Sequence, residues 1–311
     1  MKKRVLVISS ANMDFVMKVG KLPEAGETVI ESRGYSYVPG GKGANAAVAL
    51  ARLGADSIFC TKLGNDEHAQ KMRALYVENG VDVRFARINK NASTGLASII
   101  VEENGANRIV VYPGANMTLT PEDVETAMTC YPDAVFLHFE IPDAAVIAAT
   151  EFAKQKNIPV FIDAGPARSD YPLDRLGPME VISPNESECL ALTGISPNNS
   201  ENCLRAATVL MRKVQTKYVV IKLGGRGAYL HDGKYSLLLP AHESEVVDTT
   251  AAGDAFTSAM TLEYLRSGDI VRAVKYANVV GAIVVSKLGA SSSLPTEAQV
   301  EEFIRMNRIE L

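Results

Sequence analysis

From Ser57 to His231 the chain alternates short apolar segments with amphipathic ones, and this alternation limits the folds open to it. Ile58 to Lys62 reads as a strand, and Asn65-Asp66 caps a helix running to about Glu78. Thr120-Pro121-Glu122-Asp123 starts another helix, with Pro121 at its first position. Strands follow at Ala134 to Phe139, Pro159 to Ile162, Glu180 to Ser183 and Lys217 to Leu223, with helices at Ala144 to Lys156 and about Ser200 to Val214. Gly224 to Gly227 turns the last of these strands into a short one at Ala228 to His231. Continuously apolar strands are buried on both faces, and their alternation with helices predicts a mostly parallel α/β sheet sandwiched between helices. Arg4 to Ser10 is one more such run and reads as a central strand. Its basic start, Met1 to Arg4, mimics a signal peptide, but Val5 to Ile8 is too short for the apolar core of one. With no repeat, low-complexity tract or linker, residues 1–311 are expected to form one domain.

Two stretches break the pattern. Phe15 to Tyr37 alternates, is interrupted at Pro23 and Gly26, and carries Thr28-Val29-Ile30 and Tyr35-Ser36-Tyr37. Thr94 to Val101 and Asn107 to Tyr112 form a matching pair around a turn at Asn104-Gly105. Short antiparallel strands at about 14–38 and 94–113 would build a small projecting sheet, serving as a lid or a dimer contact. Edge strands of the main sheet are the plainer alternative.

Charge and hydropathy exclude several functions. With 32 basic and 36 acidic residues, the net charge of −4 offers no field for nucleic acid or an anionic membrane. The longest apolar run, around Val279 to Val285, falls far short of the ~20 residues of a spanning helix. Cys60, Cys130, Cys189 and Cys203 form no CxxC pair, which favours a reduced, cytoplasmic protein. His68, His138, His231 and His242 lack metal-ligand spacing, and His138 reads as a satisfied buried histidine.

Polar residues recur just after strands: Asn12 and Asp14, Glu140, Asp163, Asn185 and Glu188, and Lys222. That is the edge where open α/β sheets bind ligands. For Asn12 and Asp14 an Asx turn closing the strand explains the residues equally well. Gly40, Gly41 and Gly43 surround Lys42 and precede Asn45 and an alanine-rich helix from Ala46 to Leu53, closed by Gly54. Neither GxxxxGK[ST] nor GxGxxG occurs in this stretch. Val246 to Phe256, VVDTTAAGDAF, passes from β-branched residues through Ala251, Ala252 and Gly253 into a helical period. Bare backbone at a helix start makes an anion hole, and Asp254 beside it suits a general base for an attacking hydroxyl. Taken alone, Asp248 and Asp254 read as a turn residue and a helix N-terminal acid.

Two motifs together, GGKGANAAVALARLGA at Gly40 to Ala55 and DTTAAGDAF at Asp248 to Phe256, resemble the ribokinase-like carbohydrate kinase family of the phosphofructokinase-B type. Supporting pieces run nearly the full length: NMD at Asn12, PEAGET at Pro23, STG at Ser93, GAN at Gly114, PNESE at Pro184 and KLGGRG at Lys222. The resemblance implies a three-layer α/β/α fold with a small β-sheet lid. It also implies ATP-dependent phosphorylation of a sugar hydroxymethyl group, with D-ribose the expected sugar and D-ribose 5-phosphate the product. Another sugar or a nucleoside (2-deoxyribose, fructose, 2-keto-3-deoxygluconate, pseudouridine) is the near alternative.

Carried over by position, Asn12, Asp14, Gly41, Lys42, Asn45 and Glu140 would hold the sugar hydroxyls. Asp254 would be the base, with Ala251, Ala252 and Gly253 as the anion hole. Asn185 and Glu188 would act on Mg²⁺ and phosphates, partly through water. Lys222, Gly224, Gly225, Arg226 and Gly227 would form the nucleotide loop, and Asn278 would lie near the adenine. A monovalent cation site, usually for K⁺, would map to Asp248, Thr250, Val284, Lys287, Gly289 and Ser293, several through backbone carbonyls. The partners would be sugar and ATP, with a homodimer formed through the lid to cover its edges. There are departures: Lys222 stands where many relatives carry threonine, Asp163-Ala164-Gly165-Pro166 replaces an asparagine-proline pattern, and Met13 separates two sugar-binding positions. A nicotinamide oxidoreductase on a doubly wound fold and a sugar sensor without turnover are the rival classes. The missing GxGxxG after the first strand opposes the former, and Asp254 with its small-residue turn opposes the latter.

Overall fold

Strands that are apolar on both faces need helices on both faces. The computed structural model, which describes residues 2–103 and 107–311, has that layering. The strands are β1 Arg4–Ile8, β2 Asn12–Val19, β3 Tyr35–Gly40, β4 Asp56–Gly64, β5 Asp82–Asn89, β6 Gly95–Glu102, β7 Asn107–Tyr112, β8 Ala134–Leu137, β9 Val160–Asp163, β10 Met179–Ser183, β11 Thr216–Lys222, β12 Ala228–His231 and β13 Ser236–Leu239. The helices are α1 Lys42–Arg52, α2 Glu67–Glu78, α3 Pro121–Ala127, α4 Asp143–Gln155, α5 Glu186–Thr193, α6 Ser200–Lys213, α7 Ala252–Ser267, α8 Ile270–Val285 and α9 Glu297–Met306.

The main sheet has nine strands in the order β13-β12-β11-β10-β9-β8-β1-β4-β5. Every pair from β5 to β11 is parallel, and β12 and β13 close one edge antiparallel. Side chains alternate between two cores, as the period of a strand requires. Val5, Val7, Phe59, Phe136 and Phe161 face the core shared with α1, α2, α7, α8 and α9. Leu6, Ile8, Val135, Leu137 and Ile162 face the core shared with α3, α4, α5 and α6. Within the first core α1 packs on α7, and both helices are rich in buried alanine there: Ala46, Ala47 and Ala49 on α1, Ala255 and Ala259 on α7.

Chain order runs outward from β1 in both directions, through β4 and β5 on one side and β8 to β11 on the other. Such a switch point opens a crevice beyond the carboxyl ends of the strands. From there β1 continues through Ser9-Ser10-Ala11 directly into β2 of a second, four-stranded sheet ordered β3-β2-β6-β7. This sheet is mixed rather than purely antiparallel: β2 pairs antiparallel with β3 but parallel with β6. Asn12 and Asp14 are therefore ladder residues, paired with Gly40 and Val38 on one side and Gly95 and Ala97 on the other, not an Asx turn.

Three other expectations are corrected. Thr28-Val29-Ile30 forms no strand, because no neighbouring strand pairs with it, and Ile30 is almost fully exposed. The strands β5 and β13, at opposite edges of the main sheet, were not expected from the sequence. The helix after the glycines starts at Lys42, not Ala46. The expected turn at Asn104-Gly105 lies outside the described residues.

Candidate active site

The small sheet supplies one wall of the crevice. Asn12 is buried at the start of β2, and its Oδ1 accepts from Asn116 Nδ2 at 2.7 Å. Asn116 in turn clasps the Ala11 backbone, accepting from its N–H at 2.9 Å and donating to its carbonyl at 3.1 Å. Any side chain at Gly95 would run into this amide pair, which is why glycine stands there. Asn12 Nδ2 lies 3.4 Å from Glu140 Oε1, and the Ser10 hydroxyl donates to the other Glu140 oxygen. Asp14 is half-buried next to them. Burial first, then the charges of Glu140 and Asp254, push its carboxyl up to about 7.

The start of α1 meets this wall. Gly41 has a φ of 91°, and a Cβ there would sit 2.6 Å from the Asn12 backbone nitrogen. Lys42 is the first helical residue, with its Nζ 3.9 Å from Asp254 Oδ1. Burial alone would lower the Lys42 pKa. The carboxylates of Asp254, Asp163, Glu188 and Glu140 more than offset that and raise it. One turn on, Asn45 Nδ2 donates to Asp254 Oδ2 at 2.9 Å.

Asp254 lies in the first turn of α7. Ala251 caps this helix in the left-handed region at φ 63°, with no side-chain cap bond. The Ala252 N–H donates to the Thr249 carbonyl at 3.2 Å and that of Ala255 to Ala251 at 2.9 Å. The N–H groups of Gly253 and Asp254 have no partner among the described residues. The Asp254 carboxyl is buried, which would raise its pKa, but Lys42, His138 and the Asn45 amide hold it well below the usual carboxylate range. His138, at the end of β8, is fully buried; its Nδ1 is 2.9 Å from the Ser9 hydroxyl. Its Nε2 has no hydrogen-bond partner among the described residues and lies 3.7 Å from Asp254 Oδ1, so this histidine is only half satisfied there.

Beyond the first turn of α7 lies a cavity of about 350 Å³, lined among others by Lys222, Gly224, Gly225, Gly227, His242, Ala252, Gly253 and Asn278. Asn278 uses its Nδ2 to hold the carbonyls of Leu239 and Pro240, at 3.1 and 3.0 Å. Gly227, at φ 93°, packs so tightly on Leu239 to Ala241 that no Cβ would fit. Arg226 is not among the lining residues: its guanidinium turns away to Glu186 Oε1 at 2.6 Å and to the carbonyls of Pro197 and Asn198. Asn185 and Glu188 form a capping box on α5. Asn185 Oδ1 accepts from the Glu188 N–H at 2.9 Å, and Glu188 Oε2 accepts from the Asn185 N–H at 2.8 Å. Glu188 Oε1 is turned toward Gly165, on the Lys42 side.

Asp248 and the segment around Gly289 form a separate unit. Asp248 Oδ1 accepts from the Thr250 N–H and hydroxyl at 2.9 and 2.6 Å, and Oδ2 from the Gly289 N–H at 2.9 Å. Despite partial burial these bonds lower its pKa, and it has no ion pair among the described residues. An ionised carboxylate with no counter-cation among the described residues offers charge for a monovalent cation. Ser293 is fully buried, and Lys287 N–H donates to the Val284 carbonyl at 3.1 Å. His138, Asp163 and Asp254 also offer ligand atoms within 4.8 Å of one another. The ammonium groups of Lys42 and Lys222 already balance those two carboxylates, which makes this a poor metal centre.

The structure brings most of the residues named from the sequence to this crevice and adds four that were given no part there: Ser10, Asn116, His138, and Thr257, whose hydroxyl donates to Asp163 Oδ2 at 2.7 Å. Asn116 stood in the GAN motif and His138 two residues before Glu140, which were the available signals. The two departures at Asp163 and Lys222 are in mutual contact: Lys222 Nζ is 2.5 Å from Asp163 Oδ2.

A crevice between a three-layer α/β/α body and a small sheet, closed by a bare helix start with a buried acid, is the arrangement of a sugar phosphotransferase. The chain matches the model of the pfkB family of carbohydrate kinases over residues 2–297, and it belongs to that family. It is 34% identical over 305 residues to the ribokinase of Staphylococcus aureus, covering 97% of this chain and 100% of that protein. A bifunctional ribokinase/ribose-5-phosphate isomerase A of Fructilactobacillus sanfranciscensis is 35% identical over 310 residues; the match takes in 99% of this chain but only 57% of that protein's length. The solved structure of Arabidopsis thaliana ribokinase complexed with ribose and ATP superposes with a TM-score of 0.90 at 29% identity, covering 98% of this chain and 99% of that one.

Proposed function

We propose that the chain is an ATP-dependent kinase that converts D-ribose to D-ribose 5-phosphate, releasing ADP. The observation that carries this reading is Asp254: a buried, ionised carboxylate within the same helical turn as two N–H groups that have no partner among the described residues. The similarity to ribokinases along the whole chain favours ribose over other sugars.

In this mechanism Asn12, Asp14, Gly41, Lys42, Asn45 and Glu140 bind the sugar hydroxyls and orient the 5-hydroxyl toward Asp254. Asp254 accepts the hydroxyl proton as that oxygen attacks the γ-phosphorus, and the bond to the bridging oxygen of ADP breaks. The N–H groups of Gly253 and Asp254 donate to the oxygens on which charge develops, with Ala251 and Ala252 shaping the turn. Bound MgATP supplies the transferable phosphoryl group and a metal charge that screens it. Glu188, through its oxygen not used in the capping box, and Asn185 serve that metal, partly through water. Gly224, Gly225 and Gly227 let backbone approach the nucleotide, Arg226 contributes only main chain, and Asn278 lies near the base. Asp248, Thr250, Val284, Lys287, Gly289 and Ser293 hold K⁺, with Asp248 providing the charge.

Residues 1–311 act as one domain, and the small sheet serves as a lid that excludes water from the phosphoryl group. Its exposed Tyr35, Ile109, Val110 and Tyr112 support a homodimer through this sheet. No described helix is long and apolar enough to cross a membrane, and the four free buried thiols fit the cytoplasm.

The test is ADP release from MgATP and K⁺ across D-ribose, 2-deoxyribose, D-fructose, 2-keto-3-deoxygluconate, adenosine and pseudouridine. Preference for ribose supports the assignment. Preference for another member keeps the kinase and moves the substrate, and no ADP release with any of them refutes the reading.

A further inference from the structure

Lys222 ends β11 and Asp163 ends β9, two strands separated only by β10, so their side chains converge beyond the carboxyl edge of the sheet. Asp163 is 1% exposed and Thr257, one turn into α7, is 0% exposed. Lys222 Nζ donates to Asp163 Oδ2 at 2.5 Å and reaches Thr257 Oγ1 at 3.4 Å. The Thr257 hydroxyl donates to the same Asp163 oxygen at 2.7 Å. An ammonium carries three N–H donors. Two point at Asp163 and Thr257, which leaves one without a partner among the described residues.

The direction open to that donor follows from two observations. A Cβ built on Gly253 would stand 3.5 Å from Lys222 Nζ, so the ammonium rests on the first turn of α7, beside the free N–H groups. Lys222 also lines the cavity on the far side of that turn. A buried lysine–aspartate pair costs desolvation, and an apolar pair of the same volume stabilises a fold as well or better. A cation fixed at a helix N-terminus, with Asp163 holding its position, is useful where an anion must be bound.

We propose that Lys222 is a phosphate-binding residue of this kinase, held on the first turn of α7 by Asp163 and Thr257, and that its remaining N–H donates to the terminal phosphate oxygens of the nucleotide. This rests on the reading of the cavity as the ATP site. Asp163 and Thr257 are positioning residues: they touch the lysine, not the nucleotide. The phosphate contact adds a point charge to the two backbone donors of the same turn.

The experiment compares binding of adenosine and of Mg²⁺ with AMP-PNP by calorimetry in the wild type, Lys222→Met and the charge-neutral double variant Lys222→Met/Asp163→Asn. A charge-assisted hydrogen bond is worth about 10- to 100-fold in affinity. Both variants are expected to lose that factor for AMP-PNP while binding adenosine within about twofold of wild type. In turnover, KM for ATP rises and kcat falls, with KM for ribose unchanged. The double variant covers the case in which Lys222→Met alone fails to fold around an unpaired Asp163. AMP-PNP binding at wild-type strength in the double variant would show the pair to be a packing lock and overturn the proposal. A wild type that binds neither probe would overturn the kinase reading itself.

Discussion

Asp14 gives a sharp test of the electrostatics of the proposed sugar wall. Its carboxyl is pushed up to about 7 by burial and by the neighbouring charges of Glu140 and Asp254. As a ligand for sugar hydroxyls it accepts best when ionised, because a protonated carboxyl gives up acceptor capacity. A group titrating near 7 is about one-tenth ionised at about pH 6 and about nine-tenths at about pH 8. With MgATP saturating, kcat/KM for ribose should therefore rise about tenfold across that interval and level off above it. At saturating ribose kcat should stay flat, because Asp254 is held well below the usual carboxylate range and is ionised throughout. Asp14→Asn should lower kcat/KM at about pH 8 and abolish the slope. Stability carries the opposite sign. The folded pKa is raised above that of the unfolded chain, so between roughly pH 4 and 7 the folded state binds more protons. Stability of the ligand-free protein should fall as pH rises through that window, and Asp14→Asn should remove part of the fall, measured by thermal unfolding. A kcat/KM slope that persists unchanged in Asp14→Asn would refute the argument and place the titrating group elsewhere.

Asp254→Asn should keep ribose binding, measured by calorimetry, while lowering kcat by ~10²–10⁴-fold, and near-wild-type turnover would remove Asp254 from the mechanism. Turnover should be faster in K⁺ than in Na⁺, and Asp248→Ala should erase the difference; equal rates for the wild type in the two salts would refute the cation site. Ala251→Gly should raise unfolding stability by about 1 kcal/mol, because alanine is strained at the left-handed N-cap and glycine is not, and denaturant titration reads the change.

What was legible in the sequence followed from short-range rules. The layered fold came from period and alternation, and the crevice from polar residues placed after strands. Asn185 and Glu188 were legible as a motif, and their spacing is also that of a capping box, so local structure and proposed chemistry use the same atoms. The contacts that escaped notice are long-range. Asn45 reaches Asp254 across 209 residues, and Asn116 reaches Asn12 across 104. Lys222 and Asp163, 59 residues apart, looked like two unrelated departures and are one ion pair. Thr28-Val29-Ile30 misled because β-branched residues form a strand only where a ladder is available to join.

The alanines between α1 and α7 set the gauge of the active site. Asn45 and Asp254 sit on opposite sides of that contact, and the methyl groups of Ala46, Ala49, Ala255 and Ala259 help fix how far apart their backbones stand. The Ser258 hydroxyl, 3.4 Å from the Ala46 carbonyl, shows how little room is left. The distance from the Asn45 amide to the Asp254 carboxyl is thus calibrated by side chains outside that hydrogen bond. An added methylene at that seam would act as a shim, spreading the two helices and drawing Asn45 away from Asp254 although no polar side chain had been changed.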